Sequence, residues 1–104
     1  MKRRRIRYSP AAERDLEHIS DWLADVASEN TAIRYIQQIK WRIDTLEHGA
    51  ERGTLRDPQT GLRVIGILAS VSIAFTVDDD AVNIQRVIYG GQDWLAAPAT
   101  QNQD

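Results

Sequence analysis

An α+β fold of order β-α-α-β-β-β, with a helical hairpin packed on an antiparallel sheet, is predicted for this 104-residue chain by three observations. Apolar residues recur with a helical period from Ala12 to Leu46 and with a period of two from Leu62 to Tyr89. A short alternating segment, Arg3 to Tyr8, precedes the helices. The helices are joined by a short link and the last strands by short turns, so neighbours in sequence pack as hairpins.

The first strand carries Ile6 and Tyr8 on one face and Arg5 and Arg7 on the other. Its charge suits an edge strand, where basic side chains block further pairing. Ser9-Pro10 opens the first helix, with Ser9 as N-cap and Pro10 at the position where a missing N–H costs nothing. Ala12, Leu16, Ile19, Leu23 and Val26 form one apolar stripe on a helix ending near Ala27, and Glu13, Asp15 and Glu17 complement the positive end of its dipole. Ser28 and Asn30 are alternative caps for a second helix, whose stripe is Ala32, Ile36, Ile39, Ile43 and Leu46 and whose stop is Gly49. Residues 49–61 are rich in Gly, Pro, Asp and Arg and read as a loop. Strands follow at Leu62–Leu68, Val71–Val77 and Val82–Tyr89, with Asp78-Asp79-Asp80 as a turn and Gly90-Gly91 as the stop. The domain is expected to span residues 1–94, leaving 95–104, small and polar, as a flexible tail.

Composition excludes several classes. With no cysteine there is no disulfide framework, thiolate zinc site or catalytic thiol. No apolar run reaches the about 18–20 residues of a membrane span, and no signal-type stretch follows the basic start, so a cytoplasmic location without membrane contact is expected. A net charge of −2 argues against a general nucleic-acid coat protein, and direct sequence-specific DNA binding by this chain alone is not expected. The charge is divided: residues 1–63 carry 12 basic and 10 acidic side chains, whereas residues 64–104 carry Arg86 and five acids.

Neither histidine, His18 or His48, has a metal-type partner at helical spacing, so no metal or cofactor is expected. Arg63, Arg86 and Tyr89 stand near the ends of strands expected to flank a common neighbour, where they would converge. Forked arginines and a phenol are parts of phosphate recognition or metal-free RNA cleavage. The alternative is that Arg86 pairs with a carboxylate and Arg63 is simply solvated. Trp41 lies about 160° from Ile39 on the helical wheel, away from the core, and is a candidate partner contact. Trp22 is assigned to the edge of the core stripe. Trp94 either folds back on the helices or stays accessible. Arg5 and Arg7 offer a basic stripe to an acidic partner.

Taken in order, Tyr8-Ser9-Pro10-Ala11-Ala12 running into Glu13-Arg14-Asp15-Leu16 resembles the opening of the ParE branch of the RelE/ParE toxin superfamily. So do Asn30, Ala32, Arg34, Tyr35 and Ile36, then Glu51-Arg52-Gly53, then Gly61-Leu62-Arg63. Ile84-Gln85-Arg86-Val87-Ile88-Tyr89-Gly90 and Asp93-Trp94 resemble the family's close, although Gly91 and Gln92 stand where a basic pair is frequent. The resemblance covers about residues 4–94.

It implies the toxin of a type II toxin–antitoxin system, neutralised by a cognate antitoxin, ParD-like or similar. A ParE-like member poisons DNA gyrase by binding, with Arg63, Arg86, Tyr89 and Trp94 as candidate target contacts and Arg5, Arg7 and Trp41 as candidate antitoxin contacts. The alternatives are a RelE-like ribosome-dependent endoribonuclease using Arg63, Arg86 and Tyr89, or a toxin-fold binding module with another target. RNA cleavage requires groups that activate the 2′-hydroxyl, stabilise the phosphate and protonate the leaving oxygen. One basic residue and no histidine after Arg63 weigh against it.

Overall fold

The computed structural model describes residues 3–90. Its elements are β1 (Arg5–Tyr8), α1 (Pro10–Val26), α2 (Glu29–Asp44), a 3-10 turn at Thr45–Glu47, β2 (Thr54–Asp57), β3 (Leu62–Leu68), β4 (Val71–Val77) and β5 (Ala81–Tyr89). The helical hairpin lies on one face of the sheet, giving the predicted α+β architecture.

Both helices begin as their sequences require. The Ser9 hydroxyl oxygen accepts the Ala12 N–H at 3.0 Å, and Ser28, not Asn30, caps α2 by accepting the Thr31 N–H at 3.0 Å. Ile19, Ile39, Ile43, Leu46, Ile73, Phe75, Ile84 and Val87 are almost fully buried between helices and sheet. Each such side chain contributes about 1.5–3 kcal/mol relative to exposure. Val26, expected in the stripe, is 58% exposed: it is the last residue of α1, past Leu23, the last residue that packs.

The sheet differs from expectation in two ways. It has five strands, in the order β1-β5-β4-β3-β2, and β1 pairs in parallel with β5, from Arg5 opposite Ala81 to Tyr8 opposite Ile84. The sheet is therefore mixed. The helices carry the chain from β1 at one edge to β2 at the other, and the antiparallel run β2-β3-β4-β5 then brings β5 back beside β1 in the same direction. The first strand does lie at an edge.

The extra strand, β2, falls inside the segment read as a loop. Thr54, Leu55 and Arg56 are exposed and Asp57 only half-buried, so no alternation marks them. Pairing with β3 defines the strand, and two glycines permit it. Gly53 has φ +81°, and a Cβ there would stand 2.5 Å from the Val64 carbonyl oxygen. Gly61, at φ +77°, closes the turn by donating to the Asp57 carbonyl at 2.8 Å. The Asp57 carboxylate holds that turn, accepting the Gln59 N–H and the Thr60 hydroxyl, each at 3.0 Å.

One irregularity decides what β5 presents. Ala74 faces Arg86 and Phe75 faces Ile84, so Gln85 is an extra residue, a β-bulge. The bulge reverses the alternation after it. Ile84 and Val87, three residues apart, are both buried, and Tyr89 also faces the helices, whereas Arg86 and Ile88 fall opposite Ala74 and Ser72. The simple alternation that groups Arg86 with Val82 and Ile84 does not survive it.

Candidate functional site

Arg63, Arg86 and Tyr89 do lie on the strands flanking β4, but they do not converge. Arg63 is level with Phe75 and Tyr89 with Val71, four residues along β4. That is about 13 Å along the strands, with two strand spacings of about 4.8 Å across. Arg63 shares the register position of Phe75, on the helix side of the sheet, beside Leu55 of β2. Tyr89 belongs to an aromatic cluster, its ring 5.3 Å from Trp22, edge-on, and 5.8 Å from Tyr35. Trp22 packs against the core, as expected of the edge of the α1 stripe.

Arg86 is held by a residue that the sequence pattern assigns only to the helix dipole. Asp15 is 6% exposed and is the one buried charged residue among those described. Its Oδ2 accepts Arg86 Nε at 2.8 Å and the Val87 N–H at 2.9 Å, and its Oδ1 accepts Arg86 Nη2 at 2.9 Å. These bonds hold the guanidinium pKa above its ordinary value. The fold explains why the carboxylate is there. β1 stops pairing at Ile84, and α1 begins beside the uncovered edge of β5. Ser9 donates its N–H to the Ile84 carbonyl at 2.9 Å and its hydroxyl to the Gln85 carbonyl at 2.8 Å. Asp15 then takes the next edge N–H. A signal for it does exist in the sequence. Asp15 sits three residues after Ala12 and four before Ile19, on the packed side of the helix, where a carboxylate needs a cation.

The basic N-terminal strand meets the acidic turn. Arg5 donates its backbone N–H to the Asp80 carbonyl at 2.9 Å, and Arg4 Nε reaches the Asp78 carbonyl at 2.8 Å. Side-chain donation from Asn83 and the N–H groups of Asp80 and Ala81 lower the Asp78 pKa, with Arg7 adding to the effect. Arg3 pairs with Glu47 at 3.4 Å. The basic start of the chain thus lies beside the acidic turn at this end of the sheet. Nearby, burial pushes the Tyr8 phenol up to about 12, and the Asp44 carboxylate adds to it. Asp44 is itself raised, by burial and then by Glu47.

Trp41 is 65% exposed on the outer side of α2, with the Arg42 guanidinium 5.7 Å from its ring centroid. Between the helices lies an open groove of about 530 Å³, with Leu16 and Ile36 as apolar lining and Glu13, Glu17 and Lys40 among its charged residues. Trp41 does not line it. Trp94 and the 95–104 tail lie outside the described residues. Among the described residues, no three His, Asp or Glu side chains are grouped to hold a metal, and no helix is long and apolar enough to cross a membrane.

This geometry can bind partners at several places. Comparison with known proteins assigns the family. Residues 6–94 match the family model of the ParE toxin of the type II toxin–antitoxin system parDE. The chain is similar in structure to the chromosomal ParDE toxin–antitoxin system of P. aeruginosa (TM-score 0.72, 22% identity, 83% of this chain and 95% of that one). It is also similar to the RelBE2 toxin–antitoxin complex of Mycobacterium tuberculosis (TM-score 0.58, 17% identity, 86% and 93%). A third similar structure is the YoeB dimer of Staphylococcus aureus (TM-score 0.57, 22% identity, 84% and 97%). No curated protein matches the chain. Over most of its length, then, the chain is a member of the ParE toxin family of type II toxin–antitoxin systems.

Proposed function

We propose that this ParE toxin acts by binding DNA gyrase and trapping it on cleaved DNA, without bond-breaking chemistry of its own, and that a cognate ParD-like antitoxin silences it. The observation that carries this reading is the separation of the three groups a phosphodiester-cleaving site would need. Arg63 and Tyr89 stand at opposite levels of the sheet, the Tyr89 ring is packed between Trp22 and Tyr35, and Arg86 is committed to Asp15. General acid–base catalysis needs such groups within hydrogen-bond reach of one substrate. Binding tolerates their dispersal, and an exposed arginine fixed in place is a good contact residue. In this reading Arg63, Arg86 and Tyr89 are candidate target contacts, as is Trp94, which lies outside the described residues.

In the same reading the antitoxin binds the helical hairpin and the β1 edge. The groove between α1 and α2 has the apolar lining and charged rim that receive an amphipathic segment, and the β1 edge with Arg5 and Arg7 offers strand pairing. Trp41 would be reached by a segment that continues over α2. Family membership supports the partner, and the structural neighbour from P. aeruginosa is a ParDE system.

The test is a supercoiling assay with purified gyrase and purified toxin. Inhibition at stoichiometric toxin, relieved by the antitoxin, is expected. Gyrase that supercoils normally over a wide toxin excess overturns the reading. Expression without antitoxin followed by primer extension on translated mRNA then decides whether new 5′ ends appear, the signature of a ribonuclease.

A further inference from the structure

Arg42 and Arg52 bring positive charge to one place with no carboxylate to match it. Arg42 is in the last turn of α2 and Arg52 in the loop before β2, and both line an open pocket of about 100 Å³ against Leu46, Ile65 and Ile67. Neither forms an ion pair with a described residue. The carbonyl end of a helix carries about half a negative charge, less than one of the two cations. Hydrogen bonding does not require the charge of Arg52 either. Its Nε donates to the Gly49 carbonyl at 2.9 Å and its Nη2 to the Thr45 hydroxyl oxygen at 3.1 Å, a task for any neutral donor. These bonds do fix the guanidinium, and they leave the rest of its N–H groups to a ligand.

The pocket and its neighbour select that ligand. The pocket has room for about three water molecules, the scale of one tetrahedral oxyanion and too little for a nucleobase. One arginine fork satisfies a carboxylate, whereas two forks on one pocket suit a phosphate, whose oxygens point in four directions. Beside the pocket stands Trp41, 65% exposed, its ring centroid 5.7 Å from Arg42 Cζ. Single strands are held by this pairing, with the backbone on cations and a base on an aromatic ring.

We propose that the corner formed by Trp41, Arg42 and Arg52 binds a single strand of nucleic acid, with one backbone phosphate between the two guanidinium groups and the adjoining base stacked on the indole. Phosphate contact and stacking read no base edge, so the binding tolerates any sequence. A duplex keeps its bases paired and leaves the indole unused. Trp41 is also a candidate antitoxin contact, so strand and antitoxin would exclude each other there.

The experiment is fluorescence anisotropy of labelled oligothymidylate and oligouridylate with the full chain. Gyrase and antitoxin are absent, so the outcome is independent of the gyrase reading. Binding of at least one strand, weakening as salt rises, is expected. Arg42→Gln and Arg52→Gln should each weaken it about tenfold, the scale of one hydrogen bond to a charged group. Trp41→Ala should weaken it about tenfold, the scale of one stacked base. Arg14→Gln, which removes a cation from α1, should change it less than about twofold. Arg42 makes no side-chain hydrogen bond with a described residue, so its variant decides even if Arg52→Gln disturbs the loop. Failure of both strands to bind at low salt overturns the site. So does an affinity unchanged by Arg42→Gln or by Trp41→Ala, or one lowered as far by Arg14→Gln, which marks general charge attraction. Duplex DNA bound as tightly as the single strand overturns the stacked base, and oligoglutamate bound as tightly overturns the phosphate.

Discussion

Replacing Gly53 by alanine is expected to destabilise the protein by about 3 kcal/mol, and the structure supplies the control that divides this figure. At φ +81° any L side chain meets the left-handed penalty, about 1–2 kcal/mol. The new Cβ would also stand 2.5 Å from the Val64 carbonyl oxygen and 2.9 Å from Ile65 Cβ. The first of these is backbone of the paired strand and cannot rotate away. Relief requires the entry to β2 to lift from β3, beginning at the Thr54–Val64 pair, and forced repacking of this kind costs about 1–3 kcal/mol. Gly61 has nearly the same φ, +77°, and a methyl group added there would meet nothing within 4 Å. Gly61→Ala therefore carries the conformational penalty alone, about 1–2 kcal/mol. Urea unfolding followed by circular dichroism measures both. For a domain of this size the Gly53 variant should melt about 12–20 °C lower, and the Gly61 variant about half as far. Equal losses at the two positions would refute the steric argument and with it the close approach of this loop to β3.

Other perturbations test the remaining parts of the account. Asp15→Ala removes the acceptor of the Val87 N–H and half of an ion pair whose other half is partly solvated, so a loss of about 2–3 kcal/mol is expected in urea unfolding; a loss under about 0.5 kcal/mol would contradict the anchoring of α1 to the β5 edge by Asp15. The Tyr8 phenol, raised from 10.0 to about 12, should ionise late in an ultraviolet alkaline titration. Because its folded pKa lies above the unfolded one, its stabilising contribution is complete below pH 10 and is lost as pH rises towards about 12; Tyr8→Phe should flatten that part of the stability profile. Trp41→Ala, at a site 65% exposed, should leave stability within about 0.5 kcal/mol of the parent. The same variant should bind the antitoxin about tenfold or more weakly by calorimetry, and unchanged affinity removes Trp41 from that interface.

The helical hairpin is legible in the sequence because capping and apolar periodicity are local. Ser9, Pro10 and the stripes from Ala12 and Ala32 all report on residues within a turn or two of themselves. The β3 and β4 strands are legible for the same reason. What is not legible depends on partners distant in the chain. β2 has no buried alternation of its own and exists through β3. The parallel pairing of β1 with β5 follows from the helices entering the sheet at its far edge, from which three antiparallel steps lead back to β1. The Gln85 bulge shifts the faces of Arg86, Val87 and Tyr89 by one residue, which no period-two pattern reveals. Of the candidate site, the exposure of Trp41 and a carboxylate partner for Arg86 can be anticipated, the latter as an alternative. That the partner is Asp15, 71 positions away, cannot be read from the spacing of Arg86 on its own strand. The convergence of Arg63, Arg86 and Tyr89 follows from adjacency of strands alone, and it fails because register sets Tyr89 four residues along β4 from Arg63, while Arg86, almost level with Arg63, falls on the opposite face.

The proposed mode of action is arrest of gyrase by a protein that only binds. It is tested most directly by incubating supercoiled plasmid, gyrase and toxin, then adding detergent and protease and quantifying linear DNA. A gyrase poison holds the enzyme covalently on broken strands, so linear plasmid should accumulate in proportion to toxin, require gyrase and disappear with antitoxin. Plasmid that remains intact at every toxin concentration, from a preparation that arrests growth in cells, would contradict the claim and transfer the toxicity to another target.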